Sequence, residues 1–123
     1  GVDRWIGVND TTLDNRIIFA FSGNAETLRL YIETNDSAQT STLTDTNVLQ
    51  TTPNKYAIAL AENDVDSYQD GSFVASDAVV SLPIVTRLTL HNGTGTGPFQ
   101  GYIRKFIYFP RRLSDNELIK LTQ

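Results

Sequence analysis

Apolar and polar residues in this chain alternate at a spacing of two, in short segments that recur about every ten residues between glycine or polar punctuation. Only an extended backbone sends successive side chains to opposite faces, so the pattern predicts strands almost throughout and disfavours helical bundles and βαβ units. Residues 4–8 read as a first strand. Residues 15–22 read as a second, with Ile17, Phe19 and Phe21 on one face, Ile18 and Ala20 on the other, and both faces buried. After a turn at residues 22–24, residues 27–33 place Leu28, Leu30 and Ile32 inward and leave Arg29, Tyr31 and Glu33 on the opposite face. A polar stretch then turns at Asn35-Asp36 and continues as a Thr-rich edge strand over residues 38–43.

Residues 55–61 set Tyr56, Ile58 and Leu60 against Ala57, Ala59 and Ala61, and so small a second face admits another layer or a ligand. The strongest local signal is Asp70-Gly71 between residues 65–69 and 72–75, because a tight hairpin needs positive φ at both central positions. Residues 87–92 divide Leu88 and Leu90 from Arg87, Thr89 and His91, and a glycine-rich loop at residues 93–97 follows. Residues 101–109 read as a long last strand, its broken alternation explained by a bulge near Arg104-Lys105 or by burial on both faces. Beyond Pro110, Ser114 and Glu117 have the spacing of a capping box, and Leu113, Leu118 and Leu121 form the apolar stripe of a short helix.

The 123 residues suit one domain spanning 1–123 with one core. The chain opens on Gly1 with no charged-then-apolar leader, which reads as a fragment or processed product shortened at its N-terminus. No apolar run approaches the ~20 residues of a membrane helix, so no membrane insertion is expected. Ten Lys and Arg against fourteen Asp and Glu give a net charge of -4, which lacks the basic field that nucleic acids require. With no cysteine and only His91, neither a thiolate nor a multi-histidine metal site can form, and no cofactor or metal is expected.

The last quarter resembles a known ending. Gly101, Ile103, Phe106 and Tyr108 in one strand, followed by Leu113, Ser114, Asp115, Glu117 and Leu118 at a helix start, are similar to the close of concanavalin A-like lectin/glucanase and laminin-G-like jelly rolls. The hairpin Tyr68-Gln69-Asp70-Gly71-Ser72-Phe73-Val74 and the strands at residues 55–61 and 87–91 match that superfamily in order. The resemblance implies an all-β, two-sheet antiparallel jelly-roll sandwich with a short C-terminal helix. It also implies a superfamily rich in carbohydrate-binding modules, with some glycosidases and many assembly domains. The cysteine-free, Thr- and Asn-rich character is similar to modules of bacteriophage tail fibres and other viral attachment proteins.

The matching residues define a scaffold, which does not fix an activity. A glycosidase needs two carboxylates on one wall of a cleft. Glu62-Asn63-Asp64-Val65-Asp66-Ser67 begins like the E-x-D-x-x-E strand of laminarinase-type members, but Ser67 stands where the last glutamate belongs. Glu62, Asp64 and Asp66 would share a face as ligands of calcium or sugar, or form a solvated acidic loop. His91 without a G-x-S-x-G elbow is a hydrogen-bonded strand-end histidine rather than a triad member.

Sugars are held by an aromatic ring against the apolar face of the pyranose, with amides, carboxylates and cations bonding the hydroxyls. The candidates are Arg29, Tyr31 and Glu33, with Trp5, Tyr68 and His91 near strand ends, and Asp36 and Asp70 at loop tips. The leading expectation is a non-catalytic, lectin-like module that binds a glycan or a glycosylated surface receptor, outside the cell or on a virion. The alternatives are a structural or oligomerisation domain, a homotrimer if part of a fibre, and a glycosidase.

Overall fold

The computed structural model describes residues 4–22, 27–45, 53–92 and 95–123. Eight strands form: β1 (Arg4–Asn9), β2 (Arg16–Ser22), β3 (Thr27–Thr34), β4 (Ser37–Asp45), β5 (Tyr56–Ala61), β6 (Asp64–Gln69), β7 (Ser72–Asp77) and β8 (Arg87–Thr89). One helix, α1 (Asp115–Thr122), follows them. The strands make two antiparallel sheets, one ordered β4-β3-β2-β1-β8 and the other β5-β6-β7. The expected two-sheet sandwich with a short C-terminal helix is therefore the fold.

The core lies between the sheets. Ile17, Leu30 and Ile32 from the five-stranded sheet meet Val65 of β6 and Val80, with Val8, Ile58 and Leu60 packed around them. Each such side chain contributes about 1.5–3 kcal/mol by leaving water. The buried face of β3 holds Leu28, Leu30 and Ile32, as its alternation demands. β2 is buried on both sides, with Ile17 at 7% exposure and Ile18 at 0%.

A second cluster lies on the far side of the three-stranded sheet. There Ala59 and Tyr68 pack on Leu113 and Leu118, so the alanine face of β5 receives α1 as a third layer. Arg112 fastens this layer, its Nε 2.7 Å from Asp64 and its Nη2 donating to both Asp64 and Asp66. The Asp64 and Asp66 carboxylates, expected to face water or a ligand, both bind Arg112 and so anchor the C-terminal segment, Asp64 with half of its side chain still exposed. Glu62 accepts the Leu82 N–H at 3.0 Å.

Local chemistry sets the turns. Asp70 and Gly71 have φ of 47° and 81°, and Asn35 and Asp36 have 51° and 58°, the doubly positive pattern of two-residue hairpins. The Gly23-Asn24 part of the turn expected at residues 22–24 and the Gly93-Thr94 part of the glycine-rich loop lie outside the described residues.

Two expectations need correction. β8 ends at Thr89, short of residue 92, because the chain curls back as Asn92 N–H donates to the Thr96 carbonyl at 3.1 Å. Residues 101–109 form no strand. Phe99 N–H donates to the Leu90 carbonyl at 2.8 Å, and beyond it no backbone hydrogen bond from residues 101–109 reaches another described residue. Alternation and β propensity mark side chains suited to a sheet, but a strand also needs a neighbour, and no described strand lies hydrogen-bonded alongside.

Candidate functional site

The face of the five-stranded sheet turned away from the core carries a set of bonded polar side chains. Registry arranges it in rows, since residues directly opposite across a ladder point the same way. One row runs Glu33, Arg16, Asn9, Arg87 across β3, β2, β1 and β8. The next runs Tyr31, Ile18, Gly7, Thr89, and the third Arg29, Ala20, Trp5.

The first row is bonded end to end in two pairs. Arg16 Nε donates to Glu33 Oε2 at 2.7 Å, with both side chains largely buried. Arg87 Nε donates to Asn9 Oδ1 at 2.9 Å, and Asn9 Nδ2 donates to Thr89 Oγ1 at 2.9 Å, which accounts for a wholly buried asparagine. The loop after β8 leans onto this face: Arg16 donates to the Asn92 carbonyl at 3.3 Å, and Gly97, at φ 59°, packs against the Trp5 indole where a side chain would not fit.

Tyr31 stands in the second row beside the ion pair. The Arg16 guanidinium carbon lies 5.2 Å from its ring centroid, a cation–π contact that takes one face of the ring. Burial first, and the Glu33 charge second, push the Tyr31 phenol above its ordinary value, so it remains a hydrogen-bond donor at neutral pH. Arg29, one strand repeat along β3, is exposed and has no carboxylate partner among the described residues. Glu33 is the sole carboxylate that the described strands present on this face.

Of the sequence candidates, Arg29, Tyr31, Glu33 and Trp5 therefore share one face. His91 lies just beyond β8 at its border, its Nδ1 accepting the Gly95 N–H at 3.0 Å. Asp36 is exposed at the β3–β4 turn, its N–H bonded to the Asp14 carbonyl at 3.1 Å. Tyr68 and Asp70 are elsewhere. Tyr68 is 6% exposed beneath α1, edge-on to Phe73 at 5.6 Å, and Asp70 caps the start of β5 by accepting the Lys55 N–H at 2.8 Å. Sequence reasoning missed Arg16, Asn9, Arg87 and Asn92. The signal for Arg16 was present, since it falls on the Ile18 side of β2, opposite the strand that carries Tyr31.

Among the described residues no group of three His, Asp or Glu is placed to hold a metal ion, and no helix is long and apolar enough to cross a membrane. What this fold and face define is a β-sandwich whose outer sheet face carries two aromatic rings, Tyr31 and Trp5, beside the largely buried Arg16–Glu33 pair and the exposed Arg29. Solved structures with this architecture exist. The chain is similar to the carbohydrate-binding module CBM40 of the Ruminococcus gnavus IT-sialidase, with TM-score 0.77 and 19% identity over 100% of this chain and 75% of that one. It is similar also to the same module bound to α2,3 sialyllactose, with TM-score 0.76 and 20% identity over the same shares. At these identities the likeness establishes the fold. No protein-family model matches the chain, and no curated protein does.

Proposed function

We propose that residues 1–123 act as one non-catalytic carbohydrate-binding domain that holds glycan on the outer face of the five-stranded sheet. The observation that carries this reading is Tyr31, a half-buried ring held by Arg16 on one side, with Glu33 and the exposed Arg29 along the same strand. Its second face stacks on a pyranose, while Arg29, Glu33 and the Tyr31 hydroxyl bond the ring substituents. His91 and Trp5 border the bound sugar. One carboxylate on this face, already held by Arg16, does not make the acid and nucleophile or base of a glycosidase.

The ligand we propose is a glycan ending in an acidic sugar. Arg29 offers an unpaired planar cation, the group that bonds a carboxylate in two places. The similar Ruminococcus gnavus module bound to α2,3 sialyllactose supports the same choice. Such binding places the protein outside the cell or on a surface, in keeping with the sequence resemblance to attachment modules.

Calorimetric titration with sialylated and neutral oligosaccharides tests the reading. Sialyllactose is expected to bind without turnover, and Tyr31→Ala or Arg29→Ala to weaken it roughly tenfold or more. Equal binding by Tyr31→Ala would remove this face from consideration, and release of free sugar would replace the module with an enzyme.

A further inference from the structure

Residues 101–109 are exposed throughout, although six of the nine are Tyr, Ile or Phe. Tyr102 is 100% exposed, Tyr108 78% and Phe106 55%. Their backbone groups make no hydrogen bond to another described residue. Sequence in a run of this composition favours a strand, and its exposed donors and acceptors, met here by water, are free to pair with another strand edge. An unpaired apolar run on a protein surface marks a place where another chain pairs.

The sequence of the run identifies which chain. Residues 102–108 read Tyr-Ile-Arg-Lys-Phe-Ile-Tyr, in which Tyr102 and Ile103 are mirrored about Lys105 by Tyr108 and Ile107, while Arg104 is mirrored by Phe106. We propose that this run pairs antiparallel with the same run of a second copy, across a twofold axis at Lys105. That register sets Tyr102 opposite the partner's Tyr108, Ile103 opposite the partner's Ile107 and Arg104 opposite the partner's Phe106. Aromatic, aliphatic and cation–π cross-strand pairs are each favourable, and every one occurs twice in a twofold dimer. A twofold contact requires the same patch on both copies, and in this run two of the three mirrored pairs are identical and the third sets a cation against a ring.

The exposed area of the six apolar residues is roughly 700 Å², of which edge pairing buries a part, so the contact is smaller than the ~800 Å² per partner of a standard interface and fits a weak, reversible dimer. Pairing buries both faces of the new ribbon only in part. The one unfavourable contact is Lys105 opposite itself, a like-charge pair whose long stems turn the ammonium groups to water. It supplies a test that a merely structural role does not. Removing the charge strengthens the dimer, while adding charge at Ile107 abolishes it.

The dimer is independent of the glycan reading, since the run shares no residue with the Tyr31 face. Sedimentation velocity on the whole chain, from low to high micromolar concentration, is expected to show reversible monomer and dimer. Lys105→Gln is expected to tighten the dimer about threefold, and Ile107→Lys to leave a monomer with unchanged far-ultraviolet circular dichroism. Hydrogen exchange at amides 102–108 slows as concentration rises. A monomer at all concentrations, a trimer, a dimer that survives Ile107→Lys with its amides still fast, or protection independent of concentration would each overturn the proposal.

Discussion

Arg16 and Glu33 face each other across the β2–β3 ladder with 2.7 Å between guanidinium Nε and carboxylate oxygen, at 15% and 10% side-chain exposure. Removing one member strands the other charge where water reaches it poorly. Glu33→Gln and Arg16→Gln are each expected to lower stability by about 2 kcal/mol in urea melts, below the 3–5 kcal/mol of a fully dry pair. The double change Arg16→Met with Glu33→Leu recovers most of that loss, because two apolar groups leave no unpaired charge. It does not recover glycan binding, since Tyr31 loses the cation over its ring. A double variant as unstable as the two single losses combined would show that the pair is not a coupled unit.

Acid weakens the helix end through Glu117. The Arg111 guanidinium foremost, and then the Ser114 backbone N–H and hydroxyl, hold its carboxyl at about 2, against an ordinary value of 4.5. A carboxyl with a lower pKa folded than unfolded stabilises the fold above its unfolded value, and that contribution is lost as pH falls toward the folded one. The thermal midpoint is therefore expected to fall between about pH 4.5 and about pH 2. Glu117→Gln lowers the midpoint at neutral pH and flattens this part of the profile. Salt shrinks the difference, since the pair is open to solvent. An unchanged acid slope in Glu117→Gln would assign the transition to other carboxylates.

Arg112 joins layers that sequence distance conceals, reaching Asp64 and Asp66 while its Nη1 donates to the Leu113 carbonyl at 2.9 Å. Arg112→Ala frees two carboxylates beneath α1 and unpins the segment that leads into the helix. The expected result is faster hydrogen exchange in residues 115–122, with β2 and β3 amides unaffected. Equal acceleration in both regions would mean that α1 opens only with the whole sandwich.

What could be read from the chain divides by the range of the interaction. Asp70-Gly71, Asn35-Asp36 and the Ser114–Glu117 cap are fixed by neighbours within a few residues, so their chemistry is visible in order. The outward face of Arg29, Tyr31 and Glu33 follows from alternation alone. The Arg16 contact is not visible so directly, because it depends on the register between β2 and β3. Tyr68 was grouped with the sugar candidates because period two cannot distinguish a face open to water from one roofed by a helix. Residues 101–109 misled for a related reason: the pattern records what side chains suit, not whether a neighbouring strand is present.

Gly7 tests the packing of the proposed binding face from its middle. It stands opposite Ile18 on one side and Thr89 on the other. A methyl group there would lie 2.8 Å from the Ile17 carbonyl oxygen and 3.0 Å from Ile18 Cγ1. The first neighbour is backbone, which retreats only by stretching the β1–β2 ladder. Ile18 is wholly buried and has no room to yield. In an unstrained strand, alanine for glycine stabilises by about 0.4–1 kcal/mol through the unfolded chain. Here overpacking outweighs that gain, and Gly7→Ala is expected to destabilise by about 1–3 kcal/mol in urea melts. Because the displaced ladder carries Ile18 against Tyr31, sialyllactose affinity falls in the same variant at temperatures where it remains folded. A Gly7→Ala protein as stable as the parent would mean that β1 and β2 are spaced more widely here, and the rows that align Tyr31 with Arg16 would lose their footing.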